Sequence, residues 1–147
     1  MGYVTNADIE ERLGGAQYVQ LTDDEGTGQA DTDKVDEARL GAEGEVNSYI
    51  GRRYAVPVDL SRYPELADVL RSIVLDLVEY RLHARRPPVP PDIIRKRQSA
   101  LQWLERVARG EIVLPATSVV TGNTATGTVG ESSTSRRIFT RDSLADL

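Results

Sequence analysis

The segment Tyr63–Arg86 limits what this chain can become more than any other. Leu66, Val69, Leu70, Ile73, Val74, Leu75, Leu77, Val78, Tyr80 and Leu82 cover most of a helical circumference. The polar positions Asp68, Ser72, Asp76, Glu79 and His83 advance in steps of three and four, so they form one narrow stripe. A helix that is apolar on nearly every side has to be enclosed by other elements. Pro64 suits its first turn, and Pro87, Pro88, Pro90 and Pro91 stop it and force a restart. The pattern predicts a bundle with this helix at its centre.

The enclosing helices follow from capping and spacing. Thr5 with Asp8 three residues on is a carboxylate variant of the capping box, opening a helix over Asn6–Leu13 that Gly14 and Gly15 end. Tyr18, Val19 and Leu21 add an apolar patch too short to assign. Asp33 can cap a helix over Lys34–Arg53, with Val35, Ala38, Ala42, Val46 and Ile50 as its stripe. Gly41, Gly44 and Gly51 each weaken that helix by roughly 1 kcal/mol relative to Ala, which implies close neighbours or a bend. Pro57 holds Val56 extended beyond its end. A last helix carries Asp92 in its first turn and ends at Gly110. Its face is Ile94, Arg97, Leu101, Leu104 and Ala108, widened by Ile93, Ala100, Trp103 and Val107. With one Phe, one Trp and six Tyr, the core must come from Leu, Val, Ile and Ala. The expected fold is all-α: a bundle of about four helices over residues 1–110, then a long extended C-terminal arm over 111–147. Glu111–Leu114 is the candidate for a short β segment in the arm.

Within the arm, Thr121–Ser135 holds only Ala125 and Val129 as apolar residues. Alone it cannot offset an ordering entropy of roughly 1–2 kcal/mol per residue. The cluster Arg136, Arg137, Ile138, Phe139 and Arg141 follows, with the chain's only Phe. It is the candidate partner-binding anchor, Ile138 and Phe139 entering an apolar pocket and the arginines meeting acidic groups at its rim.

The case for catalysis is thin. Asp76, Glu79 and His83 could bind a metal or exchange protons, which would make a small metal-dependent enzyme. A di-iron bundle needs Glu-x-x-His on two helices, whereas His83 is the sole histidine, so a solvated stripe or an intersubunit contact is expected instead. The acidic stretch Thr22–Asp33 offers no register with calcium-loop spacing. No phosphate loop, nucleophile elbow or dinucleotide fingerprint occurs, and no cysteine is present. No catalytic, metal or cofactor-binding residue is assigned, and no cofactor is expected. A net charge of −5 argues against wrapping nucleic acid. Neither a signal peptide nor an apolar run of about 20 residues is seen. Arg52-Arg53 and Arg85-Arg86 sit at expected helix C-termini, where the dipole favours them, and are candidates for contacts between subunits. Arg95, Lys96 and Arg97 lie at the opposite, disfavoured end of theirs, where an acidic partner would explain them.

The chain resembles the Mu-like phage neck proteins. The residues that carry the resemblance are Tyr3–Ile9, Leu21-Thr22-Asp23, Glu45–Pro57, Leu77–His83, Ala100–Leu104, Gly110-Glu111-Ile112 and Arg137–Leu144. The resemblance implies a structural virion protein made in the host cytoplasm. It implies a head-to-tail connector, or adaptor, assembled as a homo-oligomeric ring of twelve copies. Such a ring would sit between the portal protein and a downstream tail or neck protein, with DNA passing through its channel without specific binding. A tail-terminator or stopper is the alternative position in the same neck. The acidic loop over residues 23–33 is then the candidate for the channel wall or rim, since carboxylates repel phosphates.

Overall fold

A computed structural model describes residues 2–119. Among the described residues there are five α-helices: α1 (Asn6–Leu13), α2 (Gly15–Thr22), α3 (Thr32–Ile50), α4 (Ala67–Ala84) and α5 (Pro91–Arg109). A 3-10 turn, Pro64–Leu66, leads into α4. The fold is all-α, as expected, with one helix more than the sequence suggested. The extra one is α2, which the patch Tyr18, Val19 and Leu21 builds.

Local chemistry explains most of the boundaries. Thr5 and Asp8 close a reciprocal capping box on α1: the Asp8 amide donates to Thr5 Oγ1, and the Thr5 amide donates to Asp8 Oδ2 at 2.7 Å. Gly14 ends α1 with φ +80°, a conformation that L side chains rarely adopt, and at once serves as the N-cap of α2. Gly15 therefore starts a helix instead of finishing one. The N-cap of α3 is Asp31 and not Asp33: its Oδ1 accepts the amides of Asp33 and Lys34. α3 stops at Ile50, three residues earlier than expected, and residues 51–53 continue as turns. α5 ends at Gly110, whose φ of +79° lets its amide turn back to the carbonyls of Arg106 and Val107.

α4 packs against all four other described helices, so the apolar segment within Tyr63–Arg86 is the centre of the bundle. Leu70, Val74, Val78 and Leu82 are fully buried along it. Val35, Ala42, Val46 and Ile50 of α3 face it from one side and Leu104 and Val107 of α5 from another. The buried line of α5 is Ile93, Ala100, Leu104 and Val107. Ile94 is exposed and Trp103 only partly buried, so the buried line takes Leu104 from the expected face and Ile93, Ala100 and Val107 from the positions expected to widen it.

Residues 111–119 form no strand. Leu114 is buried, and its amide donates to the Tyr54 hydroxyl at 2.9 Å. One antiparallel bridge joins Tyr54 to Ser118, with Ala55 N donating to Thr117 O and Val119 N donating to Arg53 O. The opening of the expected arm is thus laid along the α3–α4 connection. Residues 120–147, with Thr121–Ser135 and the anchor Arg136, Arg137, Ile138, Phe139 and Arg141, lie outside the described residues, as does Met1.

Candidate functional site

The stripe Asp76, Glu79 and His83 does lie along one face of α4, but that face is neither solvated nor left open. α1 and α2 cover it. Arg12, in the last turn of α1, reaches Asp76 at 2.6 Å and Glu79 at 3.7 Å. Lys96 of α5 approaches Glu79 at 3.4 Å, and Gln17 Nε2 of α2 lies 3.3 Å from His83 Nε2. Glu79 and His83 are 8% and 6% exposed, so the stripe is an internal polar seam. Burial pushes the Asp76 carboxyl above its usual range, an effect that Arg12 and Lys96 oppose and Glu79 reinforces. Among the described residues, no group of three His, Cys, Asp or Glu side chains is placed to hold a metal ion.

The basic pairs are divided. Arg85 donates to the Leu21 carbonyl at 2.7 Å and pairs with Asp24, while Arg86 donates to the Asp23 carbonyl at 2.6 Å and reaches Asp24 at 3.3 Å. Together they staple the acidic loop to the end of α4. The Asp23 carboxylate accepts the Thr27 and Gly28 amides, which hold it below the usual carboxylate range. Arg52 is exposed, whereas the Arg53 guanidinium lies so close over Gly110 that a Cβ there would sit 2.7 Å from it. Lys96 and Arg97 also have partners within the subunit. Arg97 lies 3.6 Å from Glu45 and 4.6 Å from the centre of the Tyr80 ring, and Glu45 takes Arg81 at 3.0 Å as well. These contacts line a cleft of about 440 Å³ between α3, α4 and α5. Arg95 stays exposed.

A second feature had no sequence signal of its own. Glu43 of α3, 8% exposed, accepts the amides of Tyr3 at 2.8 Å and Val4 at 3.3 Å. The Tyr3 hydroxyl donates to Asn47 Oδ1 at 2.5 Å and accepts the Val58 amide at 2.9 Å. Burial raises the Tyr3 phenol above its ordinary pKa. The residues before α1 are thereby sewn to α3 and to the α3–α4 connection. Beside the seam runs a groove of about 900 Å³, walled by the N-terminal segment, the start of α1, residues 57–61 and the start of α4. The one clue in the sequence was an aromatic at position 3, outside any helix.

Fold and geometry together define a small helical bundle whose buried polar side chains join its own elements, with an open groove at one end. Residues 3–131 match the family model described as Bacteriophage Mu, Gp36, and the chain belongs to that phage protein family. The match stops short of Arg136–Arg141. No curated protein matches the chain. Among the described residues, no helix is long and apolar enough to cross a membrane.

Proposed function

We propose that the chain is a structural subunit of the phage neck, a head-to-tail connector (adaptor) that assembles as a ring of twelve copies beneath the portal protein and above a tail or neck protein. Membership of the Mu Gp36 family over residues 3–131 supports a phage structural protein, and the resemblance of Tyr3–Ile9, Glu45–Pro57 and Leu77–His83 to Mu-like neck proteins points to the neck. The charge distribution supports it. Glu25, Asp33 and Glu37 stay exposed and pair with no cation among the described residues, so a rim that repels phosphate is available on the acidic loop and the start of α3. DNA would pass such a wall without being gripped. Arg52 and Arg95, exposed on the bundle, are among the basic groups free to meet acidic neighbours; Arg85 and Arg86 would act between subunits only by giving up Asp24.

Gold-labelled antibody against the chain, applied to purified particles, tests the position. Label at the vertex where head meets tail is expected, with a neck complex whose mass corresponds to twelve copies. Label along the tail or at its tip, or no chain in the particles, would overturn the proposal. A sixfold complex at the tail's upper end would move the chain to the stopper or terminator position.

A further inference from the structure

We propose that the groove beside the N-terminal seam is the seat for residues 136–141 of a neighbouring copy, with Ile138 and Phe139 inside it. The neighbour rests on the ring reading above; the seat rests on the bundle itself. At about 900 Å³ the groove is as large as a typical ligand pocket, with room for one aromatic and one branched side chain. Val4, Val58, Leu60 and Ala67 give it an apolar lining, of which Leu60 and Ala67 remain partly open to solvent. Its rim carries both signs. Asp59 is exposed; among the described residues its Oδ1 accepts only the amides of Ser61 and Arg62, and no cation is on it. Asp8 Oδ2 accepts the Thr5 amide and hydroxyl, while among the described residues its Oδ1 has only Arg71 at 3.8 Å, itself 55% exposed. Two carboxylates with spare acceptor capacity suit Arg137 and Arg141, spaced four residues apart, and the outward Arg71 suits Asp142.

The path of the chain points to the same place. Residues 117–119 leave the bundle alongside 53–55, immediately before the groove wall formed by 57–61. Val56 and Val119 are 40% and 50% exposed on that exit. The link from 120 to 137 has 18 residues, which can span up to roughly 59 Å at about 3.3 Å each. A bundle of this size has a radius of gyration near ~13 Å. The subunit's own groove begins a few residues from the exit and needs no link of that length. A link of that length leaves reach for the groove of an adjacent copy.

The test uses the full chain. Phe139→p-benzoylphenylalanine protein is mixed with an equal amount of ¹⁵N-labelled wild type, irradiated, and digested for mass analysis. Cross-links from position 139 of the unlabelled copy to peptides covering residues 57–71 of the labelled copy are expected. Ser61→Trp in the labelled copy, which fills the groove from an exposed position, should lower that yield at least tenfold with unchanged circular dichroism, and Val113→Ser, away from the groove, should leave it as it was. Cross-links confined to one copy, cross-links to another surface, no cross-link, or a yield indifferent to Ser61→Trp would each overturn the seat. Antibody labelling of particles judges the neck reading separately. Vertex label without groove cross-links removes the seat and keeps the connector; groove cross-links without vertex label do the reverse.

Discussion

Asp76 is under opposing influences. Burial raises its carboxyl pKa, with Glu79 adding to the effect and Arg12 pulling against it. A folded-state pKa above the unfolded one means that the folded chain holds this proton more tightly. The corresponding stability is present below the unfolded value and is lost as pH rises through the folded one. At neutral pH the ionised Asp76 is therefore a liability that Arg12 compensates. Asp76→Asn should leave stability at pH 7 unchanged or slightly higher, whereas Arg12→Ala, which takes the ion-pair partner from Asp76 and leaves Glu79 with Lys96 alone, should cost about 1–2 kcal/mol in urea unfolding. The acidic loop behaves in the opposite sense. Asp24 is lowered because Arg85 and Arg86 outweigh its desolvation, and Asp23 is lowered by backbone amides. Their contribution is present above the unfolded carboxylate value and is lost as pH falls through the lower, folded values. Protection of the Thr27 and Gly28 amides, taken against the intrinsic exchange rate at each pH, should fall in acid before protection in α4 does; simultaneous loss would contradict the staple. The sequence placed Asp76, Glu79 and His83 on one face but not what covers it. Arg12 is 64 residues from Asp76 and Gln17 is 66 from His83, and periodicity within one helix carries no information at that separation.

Helices were legible where their own residues determine them. α1, α4 and α5 were readable from caps, proline and glycine breaks and apolar spacing, because those signals act within a few residues. α2 was not, since eight residues starting at two glycines look like a linker until α3 and α4 cover Tyr18 and Leu21. The glycines of α3 separate in the same way. At Gly41 a Cβ would lie 2.8 Å from Arg81 Nη1, so the side chain that pairs with Glu45 needs that space. At Gly44 nothing stands within 4 Å. Gly44→Ala should raise stability by roughly 0.5–1 kcal/mol through helix propensity, while Gly41→Ala should gain little or nothing, because Arg81 must shift. Equal gains in thermal unfolding would show that Arg81 moves without cost. In α5 Leu104 and Val107 are fully buried, and Leu104→Ala should cost about 2–5 kcal/mol.

At the scale of the whole molecule, the α3–α4 connection is gripped twice, by Tyr3 at Val58 and by residues 117–119 at Arg53 and Ala55. A chain ending at Val119 should therefore unfold within about 1 kcal/mol of the full chain, since the contacts of Leu114 and the Tyr54–Ser118 bridge remain. Leu114→Ala, which empties a buried site, should cost about 2–4 kcal/mol. A large loss from the truncation would mean that residues beyond 119 support the bundle directly. The all-α class was readable from the sequence, though not α2, and neither was this double grip, because it depends on side chains such as Tyr3 and Tyr54 that lie outside every helix. The grip also has a mechanical meaning. Tension applied through the tail reaches Val119 first, and the antiparallel pairing there passes it to residues 53–55 instead of to the helix ends. The Tyr3 hydroxyl anchors the same connection from the other side, at Val58. Load would thus circulate through a non-helical collar around one end of the bundle, and a stretched subunit would give at two backbone hydrogen bonds before α4 felt the pull.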